Sequence, residues 1–181
     1  LIILQSMPEW YEAILGMIKL GVIPMPGTVL LREKNVKYRV NRSEASMVIT
    51  DSKHTDIVEN VKDECPSLKH FMLVRGKKEG WTSFEDEMEK ASDEFSADAV
   101  EKTKSDDPLL IYFTSGTTGN PKMVLHTHKY PLGHEVTARF AMDLTADDVH
   151  LTVSETGWAK AAWGKLFGQM IVGATILQAE T

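Results

Sequence analysis

Cysteine is nearly absent from this chain: Cys65 is the only one among 181 residues. An intrachain disulfide is thereby excluded, and a reducing, cytoplasmic setting is expected. Cys65 itself reads as a small buried apolar residue rather than a reactive thiol. An excess of basic charge is also missing. Twenty Lys and Arg stand against 26 Asp and Glu, a formal charge of −6, and no basic stripe marks a nucleic-acid partner. No hydrophobic run is long enough for a membrane span, because residues 13–31 are interrupted by Lys19, Pro24 and Pro26. The opening Leu1-Ile2-Ile3-Leu4 lacks the basic flank and small-residue cleavage site of a secretory signal.

What the chain does contain is alternation of short apolar runs with helical patterns, which predicts an open, layered α/β sheet with helices on both faces. After an opening strand, Ser6-Met7-Pro8-Glu9 reads as a capping box starting a helix that runs to Gly21, with Tyr11, Ile14, Leu15 and Ile18 as its buried stripe. Strands are expected at 22–25, 47–50 and 71–74, and helices near 36–40 and over 55–64. The helix near 36–40 should show Lys34, Lys37, Arg39 and Arg42 to solvent. Thr82-Ser83-Phe84-Glu85 reads as a second capping box, and residues 93–106 as a solvated acidic connector. Further strands are expected at 107–113, 123–125, 149–153 and 174–177, with helices over 127–142 and 159–172. Trp10 and Tyr11 read as core or rim rather than as substrate contacts. Neither repeat nor internal boundary divides the chain, so one layered unit is expected.

One loop carries chemistry. Thr114-Ser115-Gly116-Thr117-Thr118-Gly119-Asn120-Pro121-Lys122 is entered from the apolar run Leu109-Leu110-Ile111-Tyr112-Phe113 and left through Met123-Val124-Leu125. Glycines let backbone N–H groups converge on an anion, hydroxyls add donors, and Lys122 adds a full positive charge. A strand-to-helix phosphate loop of the G-x-x-x-x-G-K-[ST] type is disfavoured: Gly116 and Gly119 are three apart, Pro121 precedes Lys122, and Met123 stands where a magnesium-binding hydroxyl is required. A plain Ser/Thr/Gly surface turn between strands remains the bland alternative. His126 and His128, two apart at a strand-to-helix junction, share no face and have no ligand-spaced partner, so no metal site is assigned. His134 and His150 read as structural.

The loop resembles the phosphate-binding signature of the adenylate-forming, or AMP-binding, superfamily. Further segments agree: Pro8-Glu9-Trp10, then Gly21-Val22-Ile23-Pro24-Met25-Pro26-Gly27-Thr28, Glu64-Cys65-Pro66-Ser67-Leu68 and Glu155-Thr156-Gly157-Trp158. Together with Met123 after the signature lysine, these resemble the medium-chain acyl-CoA synthetases. The resemblance implies that residues 1–181 are part of the large N-terminal domain of such an enzyme, with sequence cut at both ends. It implies a two-step ligase: a small carboxylic acid attacks ATP to give acyl-adenylate and pyrophosphate, and coenzyme A then takes the acyl group.

ATP, magnesium ion and coenzyme A are the implied cofactors and co-substrates. Thr114 through Lys122 would hold the nucleotide phosphates, with Thr114 and Lys122 acting in catalysis, and Thr156, Gly157 and Trp158 would line the acyl site. For Trp158, buried core is the competing reading. Magnesium-binding, ribose-binding and adenylation residues that the family carries in later motifs have no match here. The chain alone is therefore expected to be inactive, its partner being the remainder of its own polypeptide. The alternative is a non-catalytic α/β module that keeps only a phosphate-binding loop.

Overall fold

The computed structural model describes residues 1–96, 98, 100–115 and 119–179. A parallel sheet of four strands forms its centre, in the order β1 (Ile2–Ile3), β2 (Met47–Asp51), β3 (His70–Val74) and β4 (Thr82–Ser83). Ile2 pairs with Ile49, and Ile49 with Met72. Parallel neighbours need crossovers, and the chain supplies them as α1 (Pro8–Lys19) and α2 (Glu33–Ser43) between the first two strands, and α3 (Thr55–Glu59) between the next two. The helix α4 (Phe84–Lys90) follows β4.

A hairpin continues this layer. Strands β5 (Pro108–Thr114) and β6 (Lys122–Thr127) are antiparallel and are joined by the signature loop. Beyond it come α5 (Lys129–Val136), whose axis continues through a wider turn at Thr137–Ala141, and the short parallel pair β7 (Val149–His150) and β8 (Thr175–Ile176). Two helices, α6 (Ala159–Lys165) and α7 (Phe167–Ile171), lie between that pair.

Period-two alternation puts successive side chains on opposite faces, and helices cover both. Ile2, Leu4, Ile49, Leu110 and Tyr112 pack with Trp10 and Ile14 of α1 and with Ala161, Leu166 and Phe167 of α6 and α7. Leu1, Ile3, Val48, Leu73 and Phe113 pack on the other side with Val36 and Val40 of α2 and Val58 of α3. The α/β layering with helices on both faces is the one expected from sequence.

Several local expectations are corrected. Residues 22–25 form no strand: only an isolated bridge joins Ile2 to Pro26. The segment is nonetheless the seam of the molecule, since Ile2 N–H donates to Met25 O (3.0 Å) and Ile111 N–H to Pro24 O (3.0 Å). Pro24 and Pro26 have no N–H to give, so a ladder cannot be completed there. Ser6 caps no helix. Met7 occupies the N-cap without a side-chain bond, and the Ser6 hydroxyl instead accepts from Lys165 Nζ at 2.6 Å.

The second capping box is shifted by one residue, Ser83 Oγ accepting from Asp86 N–H at 3.2 Å while Thr82 pairs in β4. The helix expected over 55–64 stops at Glu59 and resumes as a tight turn at Lys62–Glu64. That expected over 159–172 breaks at Leu166, the boundary of α6 and α7. The helix expected over 127–142 begins at Lys129, with His128 at its N-cap.

Candidate functional site

The loop is held at the end of a hairpin. Tyr112 pairs with Val124, Phe113 with Met123 and Thr114 with Lys122, so the first and last residues of the signature face each other across the open end. Facing residues of an antiparallel pair stand about 5 Å apart at Cβ, close enough to act on one ligand group. Thr114, Ser115, Gly119, Asn120 and Lys122 are exposed and Pro121 is half-buried. Gly119 adopts φ +100°, which favours glycine, and a Cβ there would project into open space. Gly116, Thr117 and Thr118 lie outside the described residues. The loop thus leads into a strand, not a helix N-terminus, as its flanking apolar runs imply.

Among the described residues Lys122 enters no ion pair. An exposed, uncommitted ammonium beside hydroxyl groups suits an anion. The same residues contain no group of three His, Cys, Asp or Glu side chains placed to hold a metal ion.

The second expected segment lies against the base of the first. Tyr112 O–H donates to Thr156 O at 3.5 Å, two residues below Thr114. Thr156 is fully buried and its hydroxyl donates to Leu4 O at the end of the β1 run. Gly157 is backed by the main chain of Gly27 and Thr28, where no Cβ fits. Trp158, by contrast, is 65% exposed, which overturns the buried-core reading of this tryptophan. Thr156 and Gly157 thus anchor the turn, and the Trp158 ring is the part of it that is free to meet a ligand.

Glu155, just before, has a role that sequence reasoning did not assign. Its carboxylate accepts from Val29 N–H and Gly157 N–H, both at 3.0 Å, joining the 155–158 turn to the 27–29 segment. It also faces Lys165, which is 4% exposed and donates to Ser6 Oγ (2.6 Å) and Ser154 O (2.7 Å). Burial pushes the Lys165 ammonium below its ordinary pKa, and the charge of Glu155 opposes that shift. Gln5, Ser6, Val29, Val153, Glu155 and Lys165 border a cavity of about 390 Å³, which Trp158 does not line.

Two residues of α2 were also missed. Arg39, expected on the solvent face, is buried and lies over the Phe113 ring, 4.7 Å from its centroid. Its neighbour Tyr38 donates from its hydroxyl to Pro121 O at 3.0 Å. The signal was available: Arg39 is three residues after Val36 and one before Val40, on the apolar stripe of its helix.

His126 lies tilted against Tyr130 (4.2 Å between centroids), Tyr130 meets His134 edge-on (4.4 Å), and His134 stacks on Trp163 (6.2 Å). Desolvation lowers the pKa of both histidines, and in His134 the charge of His126 adds to the effect. His150 Nε2 lies 2.9 Å from Gly164 O and ties β7 to α6.

A layered α/β sheet carries a hairpin that presents this exposed, hydroxyl-rich loop. The chain belongs to the AMP-binding enzyme family, whose profile matches residues 1–181. It is 40% identical over 178 residues to the mouse (Mus musculus) mitochondrial acyl-coenzyme A synthetase ACSM3, covering 97% of this chain and 30% of that protein. Among solved structures it superposes on the anthranilate CoA ligase AuaEII in complex with anthranoyl-AMP with a TM-score of 0.87, at 24% identity, over 97% of this chain and 34% of that one. The Brucella canis acyl-CoA synthetase gives 0.85 at 24% identity, over 99% and 33% respectively. These two likenesses establish the fold. The chain spans about 30% of the length of the curated relatives it matches.

Proposed function

We propose that the polypeptide carrying these residues is an acyl-CoA synthetase, an acid–thiol ligase acting on a small carboxylic acid, and that residues 1–181 are part of its large N-terminal domain. The observation that carries this reading is the pairing of Thr114 with Lys122 across an exposed loop mouth, with Lys122 uncommitted among the described residues. A carboxylate oxygen attacks the α-phosphorus of ATP, the bond to the β-phosphate bridging oxygen breaks, and pyrophosphate leaves. The sulfur of coenzyme A, giving up its thiol proton to solvent, then attacks the acyl carbonyl carbon, and AMP departs with the C–O bonding pair.

In the first step negative charge grows on the leaving pyrophosphate. The signature residues Thr114, Ser115, Gly116, Thr117, Thr118, Gly119, Asn120, Pro121 and Lys122 would hold it, with Thr114 and Lys122 stabilising that charge as it develops. No general base is required, because the acid is already ionised at neutral pH. Trp158 would offer a flat apolar wall to the acyl chain, on a turn fixed by Thr156 and Gly157. Magnesium, when bound, would neutralise phosphate charge.

No helix among the described residues is long and apolar enough to cross a membrane. The relatives' names place them in mitochondria, so a reducing compartment, cytoplasmic or mitochondrial, is the location proposed.

The test is formation of AMP, pyrophosphate and thioester by the full polypeptide with ATP, coenzyme A and a series of straight-chain acids. Equal amounts of the three products with at least one acid are expected. ATP binding without acid-dependent pyrophosphate exchange would replace this reading with that of a non-catalytic phosphate-binding module. Residues 1–181 alone are expected to show no exchange.

A further inference from the structure

The two ends of the signature loop rest on adjacent residues of one helix. At its exit, Tyr38 O–H donates to Pro121 O at 3.0 Å, in the residue just before Lys122. At its entry, the Arg39 guanidinium lies 4.7 Å from the centre of the Phe113 ring, in the residue just before Thr114. The Tyr38 ring closes the arrangement edge-on to Phe113, 6.0 Å between centroids and 71° between planes.

Among the described residues Arg39 has no carboxylate partner. It is 8% exposed, its Nε meets no hydrogen-bond acceptor, and it enters no ion pair among the described residues. Burial accordingly lowers its pKa. A buried cation normally has a carboxylate beside it, because desolvation is otherwise uncompensated. Here the ring face of Phe113 gives part of the compensation, since a guanidinium over an aromatic face is attracted by the ring quadrupole.

We propose that Tyr38 and Arg39 are positioning residues for the phosphate loop: Tyr38 fixes its exit through Pro121, and Arg39 fixes its entry through Phe113 while adding unpaired positive charge behind it. The inference rests on the loop holding the phosphates of ATP, as in the reading above. Neither side chain touches the reacting atoms, and their effect is on how well the loop is organised before the nucleotide arrives. The Michaelis constant for ATP should therefore respond, while that for the acid should not.

The experiment uses the full polypeptide carrying Tyr38→Phe, Arg39→Met or Arg39→Lys. Loss of one net hydrogen bond predicts that Tyr38→Phe raises the ATP KM about 3- to 10-fold. Arg39→Met is expected to raise it about tenfold, which is within the range for a desolvated cation–π contact and a nearby charge. Arg39→Lys, which keeps the cation, should recover most of that loss. In all three, kcat at saturating ATP and the acid KM should stay within about twofold of wild type, as expected for interactions that act on binding alone.

A merely structural role would instead lower the melting temperature and the apparent kcat together, leave the ATP KM unchanged, and overturn the proposal. Should Arg39→Met fail to fold, Tyr38→Phe alone decides, because it removes one oxygen and no volume. Pyrophosphate affinity of the same proteins, measured by calorimetry, separates the two readings. A wild type that binds pyrophosphate but makes no adenylate defeats the ligase assignment only, whereas equal affinity in wild type and variants defeats the positioning role.

Discussion

Gly157 sits so close to the main chain of Thr28 that a Cβ on Gly157 would occupy the space of the Thr28 amide. This contact, with the carboxylate of Glu155 bonded to Val29 N–H and Gly157 N–H, locks residues 27–29 to the turn that carries Trp158. Neither backbone can retreat without breaking those bonds. Gly157→Ala should therefore cost about 3 kcal/mol or more, the upper range for overpacking, and denaturant unfolding of the full polypeptide would measure it.

Glu155→Gln tests the same junction from its polar side. The carboxylate accepts two backbone N–H donors, and an amide can present only one acceptor oxygen with its NH₂ turned against the other donor. A loss of about 1–3 kcal/mol is expected from the unsatisfied amide. Lys165, deprived of the opposing charge, should also titrate at lower pH than in wild type. Lysine-selective NMR of the two proteins would reveal the difference.

The ring ladder of His126, Tyr130 and His134 makes stability depend on pH with a definite sign. Both histidines have pKa values below the ordinary 6.5 because the packed rings desolvate them, so the unfolded chain binds protons more readily than the folded one. Their contribution is fully present above about pH 6.5 and is lost as the pH falls from there towards their folded values. Melting temperature should decline over that window, and His134→Asn should flatten the decline. An unchanged slope in the variant would assign the acid sensitivity to other groups.

Lys122→Ala separates binding chemistry from folding. The side chain is exposed and unpaired among the described residues, so unfolding free energy should change by less than about 0.5 kcal/mol. Pyrophosphate exchange by the full polypeptide should fall about 10²- to 10³-fold, the range for removing one group that stabilises developing charge. Gly119→Ala should instead act through the backbone, costing about 1–3 kcal/mol at φ +100° while leaving the charge in place.

Cys65 should be inert. It is 1% exposed, and burial and the nearby Glu64 carboxylate push its thiol above the ordinary value. A disulfide reagent should modify it at the rate of global or local unfolding and not at that of a free thiol, with full reaction in denaturant.

Much of this arrangement is legible in the order of residues. The alternation of apolar runs marks most of the strands, though not the failure of residues 22–25 or the short β4, and the two-residue period of Leu1 to Leu4 sends Ile2 and Leu4 to one face and Leu1 and Ile3 to the other. The hydroxyl-rich loop is recognisable because glycine, proline and lysine act through local geometry and charge. Cap positions were less legible: Ser6 and Thr82 have the right type and spacing, yet Ser6 is drawn to the Lys165 ammonium and Thr82 into pairing with Met72. Both are tertiary contacts that outweigh a local bond of similar strength.

The sequence by itself thus determined the α/β layering and the two strands that flank residues 114–122, because these depend on periodicity and turn propensity within a few residues. Only the tertiary structure decided that Arg39 is buried on Phe113, that Glu155 holds the 27–29 segment, and that Trp158 is exposed while Thr156 is not. Those outcomes depend on which surfaces meet across separations such as the 126 residues between Val29 and Glu155. Local pattern does not encode that meeting; the packing of segments distant in sequence does.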